Sequence, residues 1–364
     1  MKLESVFGDY AKSLQQIVDK SLGLFAPIWH QRYFRMGIPS ATLDYTTIIG
    51  KERINAAASV IARGSSAPIR SRAGLIKLSG QVPAISEKFV MDENDHRNMM
   101  LVENMSVSDE SKRNQMLDLL FNDTKKAGDA AHKRLDIMAM QAISTGTISL
   151  TIETNPDGLT LSEPIDLLMP DANKRDAAVA WSSVSTATPI TDIRNTVNAA
   201  AQMGRTFEKM IMSWSLFNTF CATKEVQDTL KAFYYGPKPG GSFDPVAVTL
   251  LSNVNDFLSR NMLPIIEINN EVIGIEKDGL ITTFRPFNQT NVSFIPAGTI
   301  GEIKNAYAIE EMSRVDKVTY ALYNRALISK WKENDPFQEL TKVEFNAIPS
   351  LDNIDLIYIL DTNP

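Results

Sequence analysis

Residues 46–95 read TTIIGKERINAAASVIARGSSAPIRSRAGLIKLSGQVPAISEKFVMDEND. Short apolar and β-branched runs, Thr46–Ile49, Ser59–Ile61, Leu75–Leu78 and Lys88–Val90, alternate with Gly50, Gly64, Ser65, Ser66, Pro68, Gly74, Gly80 and Pro83. Runs this short, bounded by glycine, proline and serine, predict strands in an extended arm or hairpin. The arm holds too little apolar material to make its own core. It is therefore expected to lie on something else, and the expected surface is another copy of the same chain.

Charge sharpens that expectation. Residues 51–88 carry Lys51, Arg53, Arg63, Arg70, Arg72, Lys77 and Lys88 against Glu52 and Glu87. Residues 91–110 carry Asp92, Glu93, Asp95, Glu103, Asp109 and Glu110 against Arg97. A basic arm thus runs straight into an acidic block. One reading is two solvated clusters. The other sets Arg63, Arg70, Arg72 and Lys77 of one subunit across Asp92, Glu93, Asp95 and Glu103 of its neighbour. Complementary potentials of this kind fix register and steer association more than they add affinity.

The next segment is the strongest helix. Met116, Leu119, Leu120, Ala127, Ala131, Leu135, Met138, Ala139 and Ala142 form an apolar stripe over residues 108–144, with Asp109 and Glu110 in the first turn and Gly146 as a stop. Such a helix is on the order of 50 Å long, and Gly128 is expected to weaken or bend it. Before the arm, Val6, Tyr10, Leu14, Ile17, Val18 and Leu22 predict an amphipathic helix ending at Gly23 and Pro27. After the long helix, Thr147–Ile152 and Leu159–Leu161 around Asp157-Gly158 predict a hairpin. Helices are expected over 189–203, 224–233 and 246–263, and strands over 209–214, leading into a following helix, and over 264–268, 272–275 and 292–295. The tail, 341–360, is expected as two strands around Pro349.

Composition excludes several kinds of chemistry. The chain has 364 residues, 44% hydrophobic and 22% charged, with a net charge of −6, one cysteine and three histidines. That balance is ordinary for a folded protein and unlike a dedicated nucleic-acid binder, which is usually basic. No apolar run reaches bilayer length, and the first 25 residues lack a signal-peptide core, so cytoplasmic synthesis is expected. Cys221 alone rules out an internal disulfide and reads as a small buried hydrophobe. Asp92, Glu93, Asp95 and His96 could gather round a divalent ion, but the ligand order of a calcium loop is missing. Gly236–Gly241 lacks the Gly-Lys-Ser/Thr ending of a phosphate loop, and no nucleophile elbow is present. No catalytic, cofactor-binding or metal residue is assigned.

The last third carries a resemblance. Asp278-Gly279, Phe284-Arg285-Pro286, Val292-Ser293-Phe294-Ile295-Pro296-Ala297-Gly298, Gly301, Tyr307, Lys330-Trp331, Asp335-Pro336, Thr341 and Ile348–Leu360 occur in an order that resembles the major capsid protein E family of tailed phages, the lambda-type shell subunits. Leu43-Asp44-Tyr45, Ala62-Arg63-Gly64, Val82-Pro83-Ala84-Ile85 and Leu263–Ile268 extend the likeness over about 300 residues, and agreement across many weak signals is what gives it weight. The resemblance implies an α+β, Hong Kong-97-like capsid fold. It implies an N-terminal arm at 1–45, an extended E-loop at 46–95, a P-domain at 96–170 with its spine helix at 108–144, an A-domain at 171–309, and return strands of the P-domain at 310–364. The short N-terminus implies that a cleaved scaffold-like extension is absent or supplied by another protein. Nothing marks Lys77 or Lys88 for the Lys–Asn crosslink of some relatives.

Three functions follow for testing. The first is a non-enzymatic major capsid protein that self-assembles into pentamers and hexamers of an icosahedral head enclosing double-stranded DNA. Its implied partners are itself, a portal protein, a scaffolding protein, a decoration protein and DNA held without sequence specificity, with no membrane and no cofactor; its place is the virion, assembled in the host cytoplasm. The second is an encapsulin-like shell around cargo enzymes. The third is a soluble metal-dependent enzyme centred on Asp92–His96.

Overall fold

Helix α2 (Asp109–Thr145) runs for 37 residues without a break, about 55 Å of helix. It stops where expected: Gly146 takes φ 74° and its N–H reaches Ala142 O at 3.0 Å, the left-handed exit that glycine makes without a Cβ clash. Gly128 does not interrupt it. A Cβ there would stand 2.9 Å from the Phe25 ring and 3.0 Å from Tyr323, so the missing side chain lets two aromatic rings reach the helix.

This computed structural model describes residues 15, 18–19, 25–49, 76–103, 109–236, 249–277 and 279–364. The expected N-terminal helix lies mostly outside them, although Gln15, Val18 and Asp19 are helical. The chain divides into two compact units, one of Met1–Tyr45, Gly80–Asp136 and Ile303–Pro349, the other of Thr46–Ser79, Ile137–Glu302 and Ser350–Pro364.

The first unit is built on a six-stranded sheet. Strands β1 (Phe34–Met36), β13 (Gly301–Ala306), β16 (Phe337–Ser350), β15 (Ala326–Asn334) and β14 (Thr319–Tyr323) lie in that order, and β4 (Ala84–Met91) also pairs β16. β15 and β16 form a long hairpin from Leu327↔Glu344 to Asn334↔Phe337, turned by Asp335 and a cis Pro336. β4 runs antiparallel to β16 from Glu339↔Met91 to Asn346↔Ala84. Leu327, Ile328, Leu340, Val343 and Phe345 of the hairpin are buried, as are Ala127, Ala131 and Leu135 of α2. Each large side chain so buried contributes roughly 1.5–3 kcal/mol.

β4 corrects one expectation. The return limb of the arm does not depend on a neighbouring copy for its pairing: residues 84–91 run along β16 of their own sheet. The reason lies in the partner: β16 is buried along most of its length and needs a neighbour on each side. The rest of the arm is different. β2 (Asp44–Ile49) and β3 (Ile76–Gln81) pair as a two-stranded ribbon that joins no larger sheet, anchored by buried Thr47, whose Oγ1 lies 2.7 Å from Ser350 Oγ, and with Gly80 open to let the Tyr45 ring lie over it. The expected strand at 59–61 lies outside the described residues.

The second unit holds a five-stranded sheet in the order β7 (Lys174–Asp176), β17 (Tyr358–Asp361), β12 (Asn291–Ile295), β8 (Lys209–Ser213), β9 (Ile265–Asn269). β8 and β9 are parallel, β17 and β7 are parallel, and β12 is antiparallel to both β8 and β17. Helices α3 (Pro189–Gln202), α4 (Trp214–Ala222), α5 (Lys224–Tyr235) and α6 (Leu251–Arg260) contribute Ile193, Phe217, Phe220, Leu230, Val254 and Leu258 to one core with Met210, Met212, Phe294 and Tyr358 of the sheet. Ser213 ends β8 and caps α4, its hydroxyl accepting from Leu216 N–H at 3.1 Å.

Three boundaries differ from expectation. Around Asp157-Gly158 only β5 (Thr147–Ile148) and β6 (Ile165–Asp166) pair; Thr151 and Thr154 hydroxyls take up the intervening backbone N–H groups instead, a competition that threonine wins locally over a strand ladder. Of the helix expected over 246–263, residues 246–248 lie outside the described residues, Leu250 is extended and the helix runs over Leu251–Arg260. Pro349 is not a turn: it sits inside β16, near its end, and the tail turns through Ile354–Leu356.

Candidate functional site

The acidic block organises the entry to helix α1 (Glu93–Glu103). Asp95 N–H donates to Asp92 Oδ1 at 2.9 Å, and Asp92 N–H donates back to Asp95 Oδ2 at 3.3 Å. This reciprocal cap satisfies two backbone donors that the helix leaves open and places negative charge at its positive end. Glu93 pairs with Arg97 one turn on, Arg97 Nε standing 2.9 Å from its carboxylate. Asp92, Glu93 and Asp95 are all exposed at the start of α1. Glu103 is the last residue of α1, and its side chain lies outside the described residues, as do Arg63, Arg70 and Arg72. Lys77 is exposed on β3.

The same geometry separates the proposed metal ligands. Asp92 and Asp95 are committed to the cap, while His96 is buried with its Nε2 3.5 Å from Glu339. Among the described residues no three His, Cys, Asp or Glu side chains gather as a metal site. Burial holds His96 below its ordinary value despite the carboxylate of Glu339. Cys221 is partly buried, its Sγ 3.6 Å from Thr249 O, and desolvation pushes its thiol up to about 12, the opposite of an activated nucleophile.

Sequence reasoning missed what lies beneath the acidic entry. Glu339 on β16 is almost wholly buried and gathers two ammonium groups and an imidazole: Lys330 Nζ at 3.3 Å, Lys332 Nζ at 3.6 Å and His96 Nε2 at 3.5 Å. Lys332 lies directly across the ladder from Glu339. Burial lowers the Lys330 ammonium and raises Asp123, whose field also reaches it. The available signal was the alternation in Ser329-Lys330-Trp331-Lys332, which places both lysines on one strand face, opposite a glutamate two residues into the return strand.

No helix among the described residues is long and apolar enough to cross a membrane. The profile described as phage major capsid protein E matches residues 25–362, nearly the whole chain.

The chain belongs to the phage major capsid protein E family.

As a member of that family it is a phage major capsid protein, a structural component of the head shell. Solved structures agree on the fold, which is α+β and Hong Kong-97-like. A protein of Escherichia coli CFT073 assigned as the capsid protein of a prophage superposes with a TM-score of 0.53 at 14% identity, covering 93% of each chain. A phage-related protein from Bordetella bronchiseptica RB50 gives 0.50 at 9% identity, covering 96% of this chain and 97% of that one. A comparison with curated protein sequences gives no match.

Proposed function

We propose that this capsid subunit self-assembles into pentamers and hexamers of an icosahedral tailed-phage head around double-stranded DNA, and that the basic limb of residues 46–81 docks on the acidic α1 entry of a neighbouring subunit. The β2–β3 ribbon, which joins no larger sheet, carries this reading. A two-stranded ribbon alone is marginal in water, and Lys77 on its exposed surface marks it as a surface for opposite charge. Asp92, Glu93 and Asp95 supply that charge on a rigid helix entry.

On this reading residues 1–45 are the N-terminal arm, 46–95 the E-loop, 96–170 and 310–364 the P-domain, and 171–309 the A-domain. The protein works by geometry and catalyses nothing. Its further partners are a portal, a scaffolding and a decoration protein; it assembles in the host cytoplasm and ends in the virion. The test is assembly of the purified chain followed by electron microscopy. Arg70→Glu with Arg72→Glu and Lys77→Glu should give folded subunits and no shells, and Glu93→Lys in a mixed partner should restore some particles. Normal shells from the triple variant would remove the docking model. Particles that hold a co-purified enzyme and no DNA would move the reading to a cargo compartment.

A further inference from the structure

Two carboxylates of α2, two turns apart, hold the backbone of residues 25–33. Ala26 N–H donates to Asp129 Oδ1 at 2.9 Å; Trp29 and His30 N–H donate to Asp136 at 3.3 and 2.8 Å. His30 Nδ1–H donates to the same Asp136 Oδ1 at 2.7 Å. The His30 ring then stacks on His132 of α2, centroids 5.6 Å apart. All of His30, His132 and Asp136 are at least 98% buried. His132 Nε2–H donates to Tyr323 O at 3.3 Å, and its Nδ1 has no partner.

We propose that this cluster makes residues 25–33 an acid-released latch: protonation of His132 lifts the segment off the helix while the sheet behind it stays paired. The groups facing His132 set the direction. From α2 itself come Asp129, Lys133 and Asp136; Asp129 is already bound to Lys125 and to Ala26 N–H, and Asp136 to His30, Trp29 N–H and Lys133. From the overlying segment comes His30. β14 presents the Tyr323 carbonyl and ring, and β16 only the Phe345 ring. A proton on Nδ1 therefore meets no uncommitted acceptor and must reach water. β14 is locked by its ladder to β15, whereas residues 25–33 belong to no strand ladder: their N–H groups go to the α2 carboxylates and to a single 3-10 turn, and Phe25 stacks on Tyr323, before β1 begins at Phe34. The segment is the part that yields. Desolvation, with the neighbouring His30 second, lowers His132 from its ordinary 6.5 to about 4. The closed state thus takes up its proton only at strongly acidic pH, while the open state takes it up near 6.5, and opening is favoured roughly 100-fold more at pH 4 than at pH 7.

The test is amide hydrogen exchange on the full-length unassembled subunit, expressed as protection relative to an unstructured chain at each pH. Protection of Ala26, Trp29 and His30 amides should fall by up to roughly 100-fold from pH 7 to pH 4, with a much smaller fall at the Ile328 and Val343 amides. His132→Phe, which preserves the ring packing, should flatten that profile. An unchanged profile in the native chain, the same fall in the variant, or loss of β15–β16 protection in step with the segment would each overturn the latch. Should His132→Phe fail to fold, NMR titration of the native histidines decides: His132 titrating at 6.5 or above overturns the proposal, and titration well below it in step with amide exposure supports it.

Discussion

Lys330 and Glu339 meet diagonally across the β15–β16 hairpin with Nζ and Oε1 3.3 Å apart and both side chains at least 98% buried. Two charges taken out of water repay their desolvation only as a pair. Glu339→Ala leaves the Lys330 ammonium buried without its main counter-charge and should cost about 3–5 kcal/mol in urea unfolding. Lys330→Met combined with Glu339→Leu should recover most of that loss. A double variant as unstable as the single one would show that packing, not charge, holds this face.

His96 makes the same node pH-sensitive. Burial depresses its titration below the ordinary 6.5, so the unfolded chain takes up a proton first as pH falls. Stability is therefore complete above 6.5 and declines below it. The urea midpoint should be lower at pH 5 than at pH 7.5, and His96→Gln should reduce the difference. An equal slope in the variant would assign the acid sensitivity elsewhere.

Gly146 is fixed by backbone geometry. With φ at 74° and Met169 side-chain atoms 3.1–3.3 Å from where a Cβ would stand, Gly146→Ala should cost about 1–2 kcal/mol. Gly146→Asn, a residue that visits this conformation more readily, should cost less in backbone strain, although the Met169 contact applies to both. Thermal melts of the two variants side by side check this.

Cys221 should be slow to react. Its thiol is desolvated and pushed up to about 12, so iodoacetamide at pH 8 should label the native subunit far more slowly than the urea-unfolded chain. Equal rates would show that the loop beside Thr249 opens freely.

These features divide sharply by how local their causes are. Helix α2 and its end at Gly146 were legible because a stripe from Met116 to Ala142 and one glycine suffice to specify them. The β8–α4 junction was legible for the same reason. The β14–β16 meander was not, because Lys330, Lys332 and Glu339 break the apolar alternation that marks a strand; only their mutual pairing explains them, and pairing is invisible before the fold is known. His30 and His132 looked unrelated for that reason too. In the acidic block the run of acids is plain in the sequence, but the job of Asp92 and Asp95 in capping α1 is not, since their reciprocal bonds depend on where the helix begins. The partner of β4 was misjudged because β16, the strand that claims it, lies at the far end of the chain.

That dual use of Asp92 and Asp95 allows stability and assembly to be pulled apart. Asparagine caps a helix about as well as aspartate, so Asp92→Asn with Asp95→Asn keeps the side-chain acceptors for both backbone N–H groups while removing two negative charges. Helix α1 should lose only a few tenths of a kcal/mol from the dipole, within the error of a denaturation curve. If the block receives a basic limb from a neighbour, shell formation should nonetheless slow, and the remaining rate should depend less steeply on salt, because exposed charges are screened over about 10 Å at 0.1 M. Asp92→Ala provides the contrast: it removes cap and charge together and should cost about 1 kcal/mol. Assembly of the double asparagine variant at the native rate and with the native salt dependence would mean that these acids serve only their own helix.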